Sequence, residues 1–383
     1  MPERIAPDFE DRSGIVAPII FTLMLLGAAA LWFYSDFIKA VLNPAKPEIV
    51  FQARYQDVYD RLGISSLPNY IERTDPSVSP LLDQLRREPC DRAAILPLAT
   101  LLNRIGYPRE AATSVQRFGN RCGHSEALLE QAYSSLMRIR DLPGAVAVAT
   151  QLVTMDQARS RFRYLRGNAY EELKNYKAAL SDYSSALQLF TNLSNVASSE
   201  FYRVSRMYAA LGRPCDAITP LEMYLSYDVS KRQTAQISQL IREYANSGDC
   251  RASYASGADR LLVPPSNIID VTINGAKGRM IVDTGASMVS MSAAFASRAR
   301  ILPDEGNPMT FQVVGGTFQS APGNAQLIEV GNARAANVPV AVSIGKIDAY
   351  GPQVDGLLGM TFLARFKMSL SGGALELKPR DLN

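Results

Sequence analysis

Apolar and polar residues follow three different patterns along this chain of 383 residues, and each pattern predicts a different kind of structure. The first is a run of twenty residues without a charge, residues 15–34, which has the length that an α-helix needs to cross a bilayer. Its last residues, Trp32, Phe33 and Tyr34, are aromatic side chains that favour a membrane surface. Because residues 1–14 form a tail of mixed charge rather than a basic leader, we predict a transmembrane anchor, with a cleaved signal peptide as the alternative.

Residues 35–92 form a connector in which prolines interrupt short helical patterns. One set of its apolar side chains has the spacing of a single helix face. These residues are Phe51, Tyr55, Val58, Tyr59 and Leu62. We therefore predict one amphipathic helix in the connector, followed by short helical pieces.

The second pattern is a repeat of 34 residues within residues 93–250. The alanines that align are Ala111, Ala145, Ala179 and, after an insertion of four residues, Ala217. A small residue recurring at this period marks the crossing of two helices in tetratricopeptide repeats. The clearest copy, residues 167–187, resembles that family closely, which implies stacked helix pairs that bind a protein or peptide. An unrelated helical bundle is the alternative.

The third pattern begins after residues 251–266, a small and polar segment with two prolines that we interpret as a linker. From Ile268 onward, apolar residues alternate with polar ones, and turns that contain glycine separate the runs. This pattern predicts an all-β domain over residues 267–383. The fold class is therefore multidomain, with a membrane helix, an all-α repeat domain and an all-β domain.

Composition narrows the chemistry that these domains can perform. The chain has one histidine, His124, so histidine-based metal sites and nucleophile systems that rely on histidine find no support. A net charge of +3 without a long basic run gives no support for a nucleic-acid partner. Carboxylates remain the candidates for catalysis, and we expect neither a metal ion nor another cofactor.

The strongest candidate is the segment 279–292, which reads RMIVDTGASMVSMS. Its apolar run ends at Asp283, and Thr284 and Gly285 then turn the chain. A carboxylate that ends an apolar strand is costly to bury without a partner, but Gly285 lets backbone amides approach and hold it. Ala286 and Ser287 follow the turn, and we expect them to support its structure.

Two further segments follow the turn. The first reads as a hairpin around two glycines, and its residues are Val314, Gly315, Gly316 and Thr317. The second is an apolar pair followed by glycine, and its residues are Leu357, Leu358 and Gly359.

Together the three segments resemble the retropepsin-like aspartic proteases. With the apolar span and the repeats, the chain resembles bacterial membrane-anchored members of that family. The resemblance implies that Asp283, Thr284 and Gly285 form the catalytic site, with Asp283 as its carboxylate. It also implies that residues 314–317 form a flap over a peptide substrate and that Leu-Leu-Gly lies beside the D-T-G turn. It also implies a short helix over residues 361–365. Met360 departs from retroviral members, which often carry Arg or Asn there, and this puts the dimer contacts in question.

The chain contains one D-T-G, whereas the implied chemistry needs two carboxylates that share a proton. We expect the second Asp283 to come from an identical chain across a two-fold axis, and residues 374–377 to join a sheet shared by the two copies. Asp355 is the alternative second carboxylate within the chain, although Asp-Gly is a common turn pair. The competing function is a non-catalytic interaction scaffold, in which the β-domain only dimerises.

The four cysteines lie near the ends of predicted helices. Cys90 and Cys122 flank one antiparallel pair, and Cys215 and Cys250 repeat the arrangement, so we predict the disulfides Cys90–Cys122 and Cys215–Cys250. Four free thiols are the alternative. Because disulfides persist in oxidising compartments, we expect a single-pass protein of the bacterial inner membrane with residues 35–383 in the periplasm. The charges that flank the span leave its orientation open.

Overall fold

The structure, a computed structural model, describes most of the chain. The described residues are 22–29, 34, 54–64, 75–190, 192–250, 254–313, 316–344 and 350–380. They belong to two compact units, residues 1–56 and 57–383. Across these parts of the chain, no helix combines the length and the apolar character that spanning a membrane requires. Of the predicted anchor, only residues 22–29, which are helical, and Tyr34 are described, and the rest lies outside the described residues together with the tail 1–14.

Twelve α-helices are described between residues 56 and 248. They are α1 (Gln56–Leu62), α2 (Val78–Arg87), α3 (Arg92–Arg104), α4 (Pro108–Cys122), α5 (Glu126–Arg138), α6 (Leu142–Met155), α7 (Ser160–Glu172), α8 (Tyr176–Gln188), α9 (Ser198–Ala210), α10 (Pro214–Ser226), α11 (Val229–Arg232) and α12 (Ala235–Gly248). Helix α1 overlaps the amphipathic helix predicted in the connector. It buries three residues of the predicted apolar face, Val58, Tyr59 and Leu62.

Helices α3 to α10 form four consecutive helical hairpins, which confirms the predicted repeats. The aligned alanines lie on the second helix of each hairpin, and all four are fully buried where the paired helices cross. The insertion before the fourth hairpin contains a short 3-10 helix, Leu193–Asn195. Helix α12 packs against α10 and ends the array.

Side chains at the helix starts explain where several helices begin. Asp91 accepts a hydrogen bond from the Ala93 N–H at 2.7 Å, and Asn175 accepts one from the Ala178 N–H at 3.3 Å. Each satisfies a backbone donor that has no partner within its helix. Pro214 occupies the first position of α10, where the missing N–H has no cost.

Both predicted disulfides are present. Cys90 is bonded to Cys122, with 5.4 Å between their Cα atoms, and Cys215 is bonded to Cys250, with 5.5 Å. The first joins the segment before α3 to the last residue of α4. The second joins the first turn of α10 to the segment after α12, so the disulfides stabilise the two ends of the repeat array.

The β-domain contains ten strands among the described residues. They are β1 (Asp259–Leu262), β2 (Ile268–Ile273), β3 (Ala276–Val282), β4 (Val289–Met291), β5 (Met309–Val313), β6 (Gly316–Val330), β7 (Ala333–Ser343), β8 (Gly356–Leu358), β9 (Phe366–Ser371) and β10 (Ala374–Pro379). Seven strands form a sheet in the order β2-β3-β8-β4-β7-β6-β5, which closes on itself because β2 also pairs with β6. The other three form a sheet in the order β1-β10-β9. Two short helices, α13 (Ala293–Arg298) and α14 (Met360–Leu363), complete the domain.

One expectation about this domain was wrong. The predicted linker 251–266 contains strand β1, which pairs with β10 along the whole of its length, and Tyr254 within the segment is buried. The run 374–377, predicted to join a sheet shared by two copies, belongs to β10, which lies between β1 and β9 of the same chain. Because both hydrogen-bonding edges of this run are occupied, a second copy can extend the sheet only at β1 or β9.

The repeats and the β-domain share one hydrophobic core. Tyr183, Met207 and Tyr208 of the helices belong to the same buried cluster as Val289 and Phe362 of the β-domain. A continuous apolar core of this kind means that neither domain can separate without exposing buried surface to water.

The buried side chain of Arg365 joins the two domains by polar contacts. It donates to the carbonyl oxygens of Tyr254 (3.1 Å), Ala336 (2.7 Å) and Asn337 (3.1 Å), and it pairs with Asp216 on α10 at 3.4 Å. Burial lowers the pKa of the Arg365 guanidinium, whereas the Asp216 carboxylate opposes that shift. The contacts compensate for the removal of this charge from water.

We expect Arg365→Met to destabilise the chain by about 3 kcal/mol, because three carbonyl groups and Asp216 lose a buried partner. Denaturant unfolding of the full chain measures this. Arg260→Met is the matched control, since Arg260 pairs with Glu376 at an exposed position (3.2 Å). It should change stability by less than about 0.5 kcal/mol. Equal losses in the two variants would contradict the role given to Arg365.

Candidate active site

Strand β3 places Asp283 at the edge of the buried core. The strand pairs with β2 in antiparallel fashion and with β8 in parallel fashion. Met280 and Val282 are buried, so Asp283 follows directly from the core. Its N–H donates to the Leu358 carbonyl oxygen at 3.2 Å. The backbone of Asp283 is thereby fixed to the neighbouring strand before the turn begins.

The turn after Asp283 folds back onto its carboxylate. The N–H groups of Gly285 and Ala286 donate to Asp283 Oδ1 at 2.9 Å and 3.2 Å. Within the described part of the chain, Oδ2 accepts no hydrogen bond, and the carboxyl group is partly exposed. Thr284 and Gly285 are exposed at the tip of the turn. One carboxylate oxygen is therefore held, while the other is available to a water molecule or a second carboxyl group.

Strand β8 lies between β3 and β4, so Leu357, Leu358 and Gly359 run beside the turn of Asp283. A Cβ atom at Gly359 would lie 2.1 Å from the Met288 carbonyl oxygen, which is too close for any other residue. The Met360 N–H donates to the Ala286 carbonyl oxygen at 2.8 Å. These contacts fix the turn from its second side.

The contacts continue into helix α14. Its Thr361 hydroxyl accepts a hydrogen bond from the Val289 N–H at 2.9 Å. The helix spans Met360–Leu363 and so begins one residue before the range that the sequence suggested.

The glycine-containing hairpin is formed by β5 and β6. Phe311 pairs with Phe318, and their rings stack with centroids 5.4 Å apart. Gly316 and Thr317 begin β6, and the Thr317 side chain is exposed. Val314 and Gly315, the other two residues predicted for the flap, lie outside the described residues.

Asp355, the alternative second carboxylate, is engaged elsewhere. Its Oδ1 accepts from Arg298 at 2.7 Å, and its Oδ2 accepts from the Arg279 N–H at 3.0 Å. Asp355 lies just before the first residue of β8, opposite Arg279 on β3. Asp283, in contrast, follows the last residue of β3. Four residues along a strand correspond to about 13 Å. Asp355 therefore anchors the start of β8 and does not meet Asp283. Among the described residues, no group of three or more His, Cys, Asp or Glu side chains is placed to hold a metal ion.

Sequence reasoning missed a contact between the turn and the repeats. The buried Ser287 hydroxyl donates to Oε1 of Gln188, the last residue of α8. The two residues are 99 positions apart in the chain, and the repeat pattern gives no reason to associate them. No signal in the sequence could have found the contact, since polar residues at helical spacing on α8 predict a solvent-exposed face.

Two comparisons with known proteins concern the β-domain. Residues 269–362 match the model of a family described as aspartyl protease. A retropepsin-like aspartic protease from Rickettsia conorii is 23% identical, over 32% of this chain and 90% of that chain, with a TM-score of 0.25. No curated protein sequence matches this chain.

Two solved structures are similar to the helical part. MamA from Desulfovibrio magneticus is 16% identical, over 47% of this chain and 96% of that one, with a TM-score of 0.35. A tetratricopeptide repeat protein from Parabacteroides merdae is 16% identical, over 50% of this chain and 86% of that one, with a TM-score of 0.28.

Replacing Gly359 with alanine tests how tightly β8 lies against the turn. The new Cβ would meet the carbonyl oxygens of Met288 (2.1 Å) and Ala286 (2.7 Å), so the turn must shift. We expect a loss of about 1–3 kcal/mol in denaturant unfolding. Gly306→Ala is the control, because a Cβ there meets its nearest neighbour at 3.4 Å, an ordinary contact. If both variants unfold at the same denaturant concentration, the close approach is not structurally required.

Proposed function

We propose that the chain is an aspartic endopeptidase whose dyad consists of Asp283 from each of two identical copies. The observation that carries the proposal is the turn of Asp283, in which two backbone N–H groups hold Oδ1 and leave Oδ2 without a partner among the described residues. The match of residues 269–362 to the aspartyl protease family supports it.

The mechanism follows from placing two such carboxyl groups together. Two adjacent carboxylates cannot both ionise cheaply, so they share one proton. The ionised Asp283 takes a proton from a water molecule, which attacks the scissile carbonyl carbon. The protonated carboxyl group of the second copy donates a hydrogen bond to the carbonyl oxygen as negative charge develops there. The backbone donors at Oδ1 keep each carboxyl group oriented throughout.

A second copy is required because the chain supplies one such turn. Asp355 is held by Arg298 at the far end of β8 and is not available. The exposed tip, Thr284 and Gly285, is the part of the turn that can meet its equivalent across a two-fold axis. Strand β10 itself has no free edge for a second copy, because β1 and β9 already pair with it.

We propose that the repeats bind a substrate or partner protein through the first helices of the hairpins. The β-domain packs mainly against the second helices α8 and α10. On the first helices, Arg161 pairs with Glu130 and Arg206 pairs with Glu171, so charged side chains link successive hairpins. A polar surface of this kind suits an extended peptide with groups of both signs.

We also propose that residues 15–34 anchor the chain in the bacterial inner membrane and that the following domains occupy the periplasm. The two disulfides support this location, because thiols stay reduced in the cytosol. Alkylation of protein taken from cells tests it, and four reactive thiols would contradict the proposal.

Asp283→Asn should abolish peptide cleavage, because asparagine has the same shape but cannot take the proton from water. The variant should unfold at the same denaturant concentration as the wild type. Asp270→Asn, which changes an exposed acid on β2, is the matched control and should keep full activity. Cleavage by a pure Asp283→Asn sample would remove Asp283 from its proposed role, whereas a wild type that cleaves no peptide would leave the scaffold alternative.

The requirement for two copies predicts a dependence on concentration. Specific activity of the wild type should fall on dilution from micromolar to nanomolar protein, as dimers dissociate. An excess of Asp283→Asn chains should inhibit wild-type chains by forming mixed dimers with one carboxyl group. Constant activity per chain together with no inhibition would show that a single copy suffices.

A further inference from the structure

Helix α8 of the third hairpin touches both elements that would enclose a bound peptide. Its residues Ser181, Ser185 and Gln188 are separated by four and three positions, so they lie on one face of the helix. We call these three residues the α8 stripe. At 1.5 Å per residue, the stripe extends over about 10 Å. Ser181 and Ser185 are buried against the β-domain although their side chains are polar.

One part of the α8 stripe holds strand β5. The Ser185 hydroxyl oxygen accepts a hydrogen bond from the Thr310 N–H at 2.9 Å. The Ser181 hydroxyl donates to the carbonyl oxygens of Pro308 (2.8 Å) and Asn307 (3.1 Å) just before the strand. Since β5 is the last strand of its sheet, these donors and acceptors have no neighbouring strand to bond with. The helix takes the place of that strand.

The first helix of the same hairpin strengthens this attachment. Arg163 on α7 is buried and donates to Thr310 Oγ1 at 2.5 Å and to Asp182 at 3.3 Å. Arg166 donates to the same carboxylate at 2.7 Å. Burial lowers the pKa of the Arg163 guanidinium, and the charge of Asp182 opposes that shift. Each lost bond in this network would leave a buried polar group unpaired.

The other end of the α8 stripe holds the turn of Asp283. Gln188 Oε1 accepts a hydrogen bond from the hydroxyl of Ser287, which is buried. Ser287 directly follows Ala286, whose N–H donates to Asp283 Oδ1. A displacement of Ser287 would therefore be transmitted to the carboxylate through one residue.

We infer that Ser185 and Gln188 are positioning residues for peptide cleavage, because α8 sets the distance between the turn of Asp283 and strand β5. This inference rests on the proposed function, with the peptide lying between the turn of Asp283 and the hairpin of β5 and β6 that was predicted to be its flap. The repeats then shape the substrate cleft in addition to recruiting a partner. An error of about 1 Å in such a geometry lowers the rate by up to about 100-fold.

Two pairs of variants in the full chain test the inference. Ser185→Ala removes the acceptor for Thr310, and its control Ser205→Ala removes a buried hydroxyl that bonds only within the repeats, to the Ala217 carbonyl oxygen at 2.6 Å. Gln188→Met removes the acceptor for Ser287, and its control Gln188→Glu keeps an acceptor oxygen at the same position.

We expect Ser185→Ala to raise KM by at least about five-fold, because it moves the wall of the cleft at β5. We expect Gln188→Met to lower kcat by at least about five-fold, because it moves the Asp283 carboxylate. Ser205→Ala should lower the unfolding midpoint as much as Ser185→Ala does, but its KM and kcat should stay within about two-fold of the wild-type values. Gln188→Glu should have the kcat of the wild type. Equal kinetic effects of the two serine variants would reduce the α8 stripe to a structural role and overturn the inference.

Hydrogen exchange of the same full-length proteins separates this inference from the proposed function. Ser185→Ala should speed exchange in peptides covering 309–313, and Gln188→Met should speed it in peptides covering 283–291, with no change for Ser205→Ala. If the wild type cleaves no peptide but this exchange pattern appears, the positioning contacts stand and the peptidase proposal fails. Exchange that changes only within α8 would overturn the inference whether or not the chain cleaves peptides.

Discussion

A charged side chain without access to water must be satisfied by the groups around it, and Arg365 places this requirement on residues 57–383. Its partners come from helix α10, from the segment after the repeats and from strand β7. Because a buried guanidinium left without them would cost several kcal/mol, these segments must meet in one arrangement. The same segments contribute to the common hydrophobic core, so polar and apolar contacts favour the same arrangement.

The turn of Asp283 relies on a different kind of support. Its carboxylate is held by backbone N–H groups, and the turn is enclosed by β8 on one side and by α8 on the other. Backbone donors cannot change rotamer, so they orient a carboxyl group more firmly than side chains do. The orientation of the Asp283 carboxylate therefore depends on the elements that pack against the backbone of the turn, and several of their contacts come from residues far away in sequence.

Features that are determined within a short stretch of chain could be predicted from the sequence. Examples are the spacing of the alanines in the repeats, the D-T-G turn and the cysteines at helix ends. The place of β10 could not be predicted, since its alternation of apolar residues is the same in a central strand and in an edge strand. The contact of Ser185 with Thr310 joins residues 125 positions apart, and neither residue type indicates the other. Polar side chains on one helix face read as solvent-exposed until a second domain is seen to cover them.

The position of β10 has a consequence for how the protein is made. This strand follows every other described strand in sequence, yet it lies between β1 and β9. The three-stranded sheet therefore cannot assemble on a ribosome until the segment from Ala374 onward has emerged, whereas the helical hairpins can fold earlier from local contacts. A chain cut short before that residue would leave β1 and β9 without the strand that joins them. The β-domain thus matures last, and an incomplete translation product would carry folded helical hairpins without a complete β-domain.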